Sequence, residues 1–197
     1  TIDNDVAGTE RTLGFDSACQ YAYHAIDGVR ATGHALAGRF FTLETLGGHT
    51  GMLALAVAEG AGADVVLVPE YPIDDEPYFV ERLKAALKRK GHALLVYTEF
   101  VPDKDAVLAS LAGKVGARLR ETRLGHAQRG GAPSHSDRVL ARDWARLAYP
   151  ALQEGAAAIT IWKNGRPALH HGLLATDVTP LPDRTLYNQI NGLDGER

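Results

Sequence analysis

Two short apolar runs constrain the fold of this chain more than any other feature of its sequence. Residues 63–68 contain Val-Val-Leu-Val and are closed by Pro69, and residues 92–98 have the same continuous apolar character. Such runs are typical of strands that helices cover on both faces, as in parallel sheets. Between them, apolar residues recur at three- and four-residue steps, which indicates helices. This alternation predicts an α/β fold with a mostly parallel central sheet.

The same patterns predict the remaining elements. A helix begins at Phe15 and ends near Gly33, and Ser134 or Ser136 caps a long helix. A hairpin turns at Asn164-Gly165. The other predicted strands are 39–46 and 118–124, and the other predicted helices begin near Leu53, at Pro77 and at Lys104.

The polar clusters 44–49, 98–100 and 125–129 all follow predicted strands. Ligands of such folds bind at the carboxyl ends of the strands. The sequence therefore predicts that the three clusters face one crevice.

Composition excludes several classes of protein. The formal net charge of −3 gives no overall attraction to nucleic acid or an anionic membrane, so an anion site has to be built locally. The lone Cys19 excludes an internal disulfide framework and fits a reducing compartment, so we predict a cytoplasmic location. No apolar run approaches the roughly 18 residues of a membrane helix. The scattered histidines lack metal-ligand spacing, and His92 is interpreted as a satisfied structural histidine.

Two segments carry residue types suited to chemistry. In an extended segment, Thr1, Asp3 and Asp5 place a hydroxyl and two carboxylates on one face, although a polar turn is the simpler interpretation of this spacing. The glycine-flanked loop 125–131 carries His126 and Arg129, which suit phosphate binding or an ordinary glycine-rich turn.

Arginines precede that loop. Arg118 and Arg120 share one face of the predicted strand and Arg123 lies on the other, and a solvated edge explains any one of them equally well.

In their order and content these segments resemble the 6-phosphofructokinases, both ATP-dependent and pyrophosphate-dependent. TIDNDVAGTERTLGFDSA resembles that family's catalytic strand-loop-helix, LETLGGHTG its MGR-type loop, and RETRLGHAQRGGAPSHSDR its LGHxQRGG sugar-phosphate signature. VVLVPE and VYTE resemble two intervening strand ends. The likeness covers most of residues 1–155, and several separate motifs agree in order.

The resemblance implies a three-layer phosphofructokinase-like sandwich whose N-terminal nucleotide-binding part lies upstream of Thr1. It divides the chain into a catalytic loop of the donor-binding domain (1–14), a sugar-phosphate-binding α/β domain (15–129) and a return segment with a C-terminal tail that packs on the donor domain (130–197). Because the nucleotide loop is upstream, the donor, ATP or pyrophosphate, is not readable, and the chain alone is expected to be inactive.

The implied reaction transfers a phosphoryl group to C1 of fructose 6-phosphate in glycolysis, with Mg²⁺. The resemblance makes Asp3 the general base for the C1 hydroxyl, places Asp5 near the magnesium-phosphate, and brings Thr1 to the transferred group. The implied substrate-binding residues are Leu46 and Gly47 lining the sugar site, Glu99 for sugar hydroxyls, His126 with Arg129 for fructose 6-phosphate, and Arg39 with Arg120 for the 6-phosphate in a neighbouring subunit's site. A shared site implies a homo-oligomer, a dimer or a tetramer.

One position departs from the family pattern. The MGR loop has an arginine where this chain has Gly48, and loss of a phosphoryl-stabilising cation costs rate. Either His49 or an upstream group compensates, or the protein is a non-catalytic sugar-phosphate-binding paralogue. Arg30 and Glu70 fall where effector-binding residues occur in some members.

Overall fold

Four parallel strands form the sheet that the apolar runs predict. The computed structural model describes residues 1–73, 76–175 and 178–194. The strands are β1 (Arg39–Thr45), β2 (Val65–Leu67), β3 (His92–Thr98) and β4 (Arg118–Arg123). Their order is β2-β3-β1-β4, and every pairing is parallel. The predicted α/β class with a mostly parallel sheet is confirmed.

Helices cover both faces of this sheet. The helices in the described residues are α1 (Phe15–Ala35), α2 (Met52–Ala61), α3 (Glu76–Lys90), α4 (Lys104–Val115), α5 (His135–Gln153) and α6 (Arg184–Asn191), of which α5 packs on α1 and on a separate two-stranded sheet. Side chains alternate along a strand, so β3 sends Leu94 and Val96 into the core under α1 and α2, and Leu95 and Tyr97 into the core under α3 and α4. None of the helices in the described ranges is long and apolar enough to cross a bilayer.

An asparagine side chain closes the outer edge of β2. The Val66 amide donates to Asn191 Oδ1 at 2.9 Å, and Asn191 Nδ2 donates to the Val66 carbonyl at 3.0 Å. Asn191 thus satisfies both backbone groups that a further strand would bind. Its helix, α6, was not predicted, although Asp183 caps it and Leu186 and Ile190 recur at a four-residue step.

A two-stranded antiparallel sheet packs against α5. It consists of β5 (Ala158–Lys163) and β6 (Arg166–His171), joined by the predicted Asn164-Gly165 turn with both residues at positive φ. The indole of Trp144 donates to the Ile161 carbonyl at 3.1 Å and so joins α5 to β5. Ser134 is the N-cap of α5, as one of the two predicted candidates.

Three local predictions differ from the structure. Gly33 lies inside α1, where an added Cβ would meet the His92 ring at 2.9 Å, so this glycine allows close packing rather than ending the helix. The strand predicted at 63–68 contains only Val65–Leu67. His92 is buried as predicted, but its Nδ1 has no hydrogen-bond partner among the described residues, so the imidazole is only partly satisfied.

The sequence predicts an acidic cluster, Asp74-Asp75-Glu76, at the start of α3 and a matching basic cluster, Lys88-Arg89-Lys90, at its end, where each favours the helix dipole. Asp74 and Asp75 lie outside the described residues. Glu76 is in the first turn, and its carboxylate also binds Lys114 and Ser110 of α4. The predicted basic cluster at the C-terminus of α3, ending at Lys90, occupies the last turn.

Candidate active site

The three polar clusters lie at one edge of the sheet. The strands β3, β1 and β4 are adjacent and parallel, so their carboxyl ends are neighbours. Backbone bonds extend this contact beyond the strands: the Glu99 amide donates to the Thr45 carbonyl and the Leu124 amide to the Glu44 carbonyl, each at 3.1 Å. The segments after the three strands therefore start side by side.

Gly47 allows the segment after β1 to pack on the end of β3. A Cβ built at Gly47 would lie 2.7 Å from both Thr98 Oγ1 and the Thr50 carbonyl oxygen. Any side chain there would force the two segments apart. The adjacent Leu46 is buried, and Gly48 is partly exposed at φ 56°.

The glycine-rich segment 125–131 is more ordered than the loop that was predicted. Gly125–Arg129 forms a 3₁₀ helix that buries Gln128 and exposes His126 and Arg129. The Leu46 amide donates to Gln128 Oε1 at 2.8 Å, and Gln128 Nε2 donates to the Ala18 carbonyl at 3.2 Å. Sequence reasoning missed Gln128, which is buried between the exposed neighbours His126 and Arg129.

Asp137 joins α5 to the start of α1. This buried carboxylate accepts hydrogen bonds from the Gly14 amide at 2.9 Å and the Ser17 amide at 2.8 Å. It also accepts one from the Ser17 hydroxyl at 2.5 Å. Asp137 satisfies amides at the N-terminus of α1 and anchors the segment that leads into it. No sequence signal distinguished it from an ordinary first-turn aspartate.

The N-terminal segment lies beside the segment after β1. The Thr1 hydroxyl donates to Asp3 Oδ2 at 3.1 Å, and a Cβ at Gly48 would be 3.8 Å from the same oxygen. The backbone agrees with the polar turn, the simpler interpretation of this spacing, and not with an extended segment, because Asn4 adopts φ 56° and bends the chain. Thr1 and Asp3 nevertheless meet, and Asp5 is half-buried in the same bend. Asp3 Oδ1 is a buried acceptor with no hydrogen-bond partner in the described chain.

A cavity of about 380 Å³ separates this segment from the 3₁₀ helix. Ile2, Gln128, Arg129 and Arg138 are among the residues that line it. Arg129 and the N-terminal segment therefore border one space.

Glu99 follows β3 and is half-buried in a turn closed by a bond from the Val101 amide to the Thr98 carbonyl. The next residue, Phe100, stacks against His49 with the ring centroids 4.4 Å apart. The stack joins the segments that follow β1 and β3.

Arg39 and Arg120 lie toward the opposite end of the strands. Arg39 opens β1, and six residue steps of about 3.3 Å put it roughly 20 Å from Thr45. Arg120 pairs with Phe41 and shares its strand face with Arg118, which pairs with Arg39. Desolvation and the charges of Arg118 and Arg39 lower the pKa of Arg120. Across the described residues, none of these three arginines forms an ion pair.

Curated relatives of this chain are phosphofructokinases. It is 36% identical over 176 residues to the ATP-dependent 6-phosphofructokinase of Tolumonas auensis, covering 88% of this chain and 54% of the relative. It is 38% identical over 172 residues to the enzyme of the same name from Lactobacillus delbrueckii subsp. bulgaricus, covering 86% and 53%. The chain thus spans about half the length of these relatives.

Solved structures agree on the fold. A phosphofructokinase structure from Saccharomyces cerevisiae superposes with a TM-score of 0.77 at 27% identity, over 87% of this chain and 24% of that one. A pyrophosphate-dependent phosphofructokinase from Marinobacter aquaeolei superposes at 0.70 with 22% identity, over 86% and 48%, and shows the fold alone. The family model described as Phosphofructokinase matches residues 1–152. The chain therefore belongs to the phosphofructokinase family.

Proposed function

We propose that this chain supplies the sugar-phosphate side of a 6-phosphofructokinase, which transfers a phosphoryl group from a donor to C1 of fructose 6-phosphate. The observation that carries the proposal is the position of the Asp3 carboxylate. It lies beside Gly48, in a segment that borders the same cavity as Arg129. A carboxylate beside a strand-end loop, in a segment whose Ile2 borders the cavity that Arg129 also lines, suits a phosphorylated sugar acceptor.

Asp3 is the general base. It takes the proton of the C1 hydroxyl while that oxygen bonds to the transferred phosphorus, and the bond between phosphorus and the donor's leaving oxygen breaks. The unpartnered Oδ1 supports this role, because a buried acceptor without a donor favours a ligand that brings one. Thr1 donates to the other oxygen of the carboxylate, and this contact supports a role of Thr1 at the transferred group.

The strand ends hold the sugar. Leu46 and Gly47 line its site and Glu99 binds its hydroxyls, while His126 and Arg129 bind its phosphate. The exposure of His126 and Arg129 on a 3₁₀ helix anchored by Gln128 supports this assignment, since both side chains reach solvent from a fixed backbone. Arginine presents a planar fork of donors that matches a phosphate dianion.

Arg39 and Arg120 bind the 6-phosphate of a neighbouring subunit in a homo-oligomer, a dimer or a tetramer. The distance of roughly 20 Å along β1 supports this, because Arg39 is too far from Leu46 to join the same ligand within one chain. The absence of ion pairs among the described partners leaves both guanidinium groups available to an external anion.

The donor is ATP or pyrophosphate, bound with Mg²⁺. Mg²⁺ is usually held by one or two carboxylates together with substrate phosphates and waters. The described residues contain no group of three His, Cys, Asp or Glu suited to a metal ion, but Asp5, next to Asp3 in the bent segment, offers one such carboxylate. Residues 1–14 and 130–197 then belong with the donor side and 15–129 with the sugar side, in a glycolytic enzyme of the cytoplasm.

A second candidate function is sugar-phosphate binding without turnover. Gly48 provides no side chain at the point nearest Asp3, and the neighbouring His49 is stacked on Phe100. A missing cation at the transferring phosphoryl group favours this alternative.

Turnover of the full gene product, including any sequence that flanks these residues, tests both functions. With fructose 6-phosphate, Mg²⁺ and either ATP or pyrophosphate, we expect fructose 1,6-bisphosphate to form with one donor. Asp3→Asn should lower kcat by about 10²- to 10⁴-fold, the usual contribution of a general base, with a small change in KM. Asp27→Asn, on the exposed surface of α1, is the matched control.

Two results would contradict this proposal, the first its reaction and the second its general base. Binding of fructose 6-phosphate without turnover by either donor would establish the non-catalytic alternative. Turnover that is unchanged in Asp3→Asn would remove Asp3 from the reaction.

A further inference from the structure

A buried ion pair lies directly beneath the turn that carries Glu99. Lys104, the first residue of α4, contacts Glu44 of β1, with 2.6 Å between Lys104 Nζ and Glu44 Oε2. Both side chains are largely buried, exposed by 22% and 11% respectively. The same ammonium also donates to the backbone carbonyl of Glu99 at 2.8 Å. One cation therefore bridges the end of β1 and the turn after β3.

Glu44 is itself tied to the third strand end. Its carbonyl accepts the bond from the Leu124 amide, one residue before the 3₁₀ helix that carries His126 and Arg129. The pair of Glu44 and Lys104 thus connects the segments after β1, β3 and β4. Each of these segments carries residues assigned above to the sugar phosphate.

Stability alone gives little reason for such a pair. Taking two charges out of water costs free energy that their attraction only partly returns, and apolar replacements of both partners are often neutral or stabilising. A buried pair that also fixes a backbone carbonyl of a ligand-binding turn has a second use, which is to select one position of that turn.

We propose that Lys104 is a positioning residue for fructose 6-phosphate, which acts by holding the backbone of Glu99 through the ion pair with Glu44. The inference rests on the proposed function, because it takes Glu99 as the residue that binds the sugar hydroxyls. Lys104 does not itself touch the substrate. Its effect reaches the ligand only through the turn at residues 98–101.

Steady-state kinetics of the full gene product test this role. Lys104→Met keeps the length of the side chain and removes the charge. We expect the KM for fructose 6-phosphate to rise roughly tenfold and kcat to stay within about twofold, because binding and not the chemical step depends on the turn. Lys104→Arg, which keeps the charge and the donors, should restore most of the affinity. Lys84→Met, which removes an exposed ion pair with Glu81, is the matched control.

A double-mutant cycle separates positioning from a general loss of structure. In a Glu99→Ala background, Lys104→Met should cause no further rise in KM, because the group that it positions is gone. The double variant Glu44→Gln with Lys104→Met leaves no charge buried without a partner, and it replaces Lys104→Met if that variant does not fold. Its thermal stability should be close to that of the unaltered protein while its KM stays raised.

Three results would overturn the inference. The first is a KM for fructose 6-phosphate, in Lys104→Met or in the double variant, that lies within twofold of the KM of the unaltered protein. Alternatively, Lys104→Met raises KM by the same factor with and without the Glu99 side chain. Finally, if the unaltered protein neither binds nor phosphorylates fructose 6-phosphate, the proposed function fails and this inference fails with it.

Discussion

The two edges of the parallel sheet use buried polar groups differently. At the carboxyl edge, Gln128 and Asp137 bind backbone amides of loop segments and leave nearby ligand candidates such as Arg129 exposed. At the amino edge, Asp64 is buried next to β2 and neutralised by side chains of its own chain. The internal partners of Asp64 indicate a structural role, while exposed side chains such as Arg129, on a backbone anchored by buried hydrogen bonds, indicate a ligand site.

Asp64 is the clearest structural charge. It accepts a bond from the Leu94 amide at 2.8 Å and forms ion pairs with Lys90 at 2.8 Å and Arg89 at 3.5 Å. Its own carbonyl accepts from Arg82 Nε at 2.6 Å. These contacts link the starts of β2 and β3 to the end of α3.

Asp64→Ala tests the structural role of the amino edge and is expected to have the largest effect on stability. The change leaves the Leu94 amide without its acceptor, and Lys90 and Arg89 lose their partner but can reach water. We expect the free energy of unfolding to fall by about 2–3 kcal/mol, the range for a hydrogen bond to a charged group, with KM unchanged. Chemical denaturation measures the first quantity and steady-state kinetics the second. A change in KM without a loss of stability would contradict the structural role of Asp64.

Gln128→Leu should have a smaller effect on stability and a visible one on binding. It leaves the buried Leu46 amide without an acceptor, which costs about 1–2 kcal/mol. It also frees the 3₁₀ helix from Leu46 and Ala18, so the KM for fructose 6-phosphate should rise. The exposed Gln189→Leu on α6 is the control for both measurements. A destabilised variant with normal KM would make Gln128 purely structural.

The smallest effect is a dependence of stability on pH. Burial, followed by the charges of Lys90 and His34, lowers the pKa of His92. The folded chain therefore binds fewer protons at this site than the unfolded chain does. The contribution of His92 to the free energy of unfolding is therefore largest above the unfolded pKa of about 6.5. It decreases as the pH drops below that value.

Denaturation across this range should show a weaker loss of stability on acidification for His92→Leu than for the unaltered protein. The exposed His24→Leu on α1 should retain the original pH dependence. Identical pH profiles for His92→Leu and the unaltered protein would exclude His92 as a source of that dependence.

Much of the fold was predictable because a strand that is buried on both faces needs apolar residues at every position, which gives a continuous apolar run in the sequence. β3 was predicted to its end residues, and the Asn164-Gly165 hairpin and the Ser134 cap follow from local backbone preferences. The short helix α6 was missed because its inward face contains Tyr187 and Asn191, whose polar atoms make it look solvated.

The site residues were predictable only where several motifs of the sequence match the motifs of the family in the same order. Gln128 and Asp137 were missed because each makes its decisive contact with the backbone of a distant segment, and Lys104 was missed because its ion-pair partner Glu44 lies on a distant strand. Such contacts depend on tertiary placement and leave no periodic trace. The bend at Asn4 was open to prediction, because short strings of Asp, Asn and Thr favour polar turns.

The pairing of Asn191 with Val66 also determines how this sheet meets other proteins. An open strand edge is a template on which a foreign strand can add, and that addition is a common route to aggregation. Because a side-chain amide occupies that template on β2, β4 is the remaining open edge of the four-stranded sheet within the described residues. There the like charges of Arg118 and Arg120 oppose a second copy of the same edge, so the sheet is protected from edge-to-edge polymerisation on both sides.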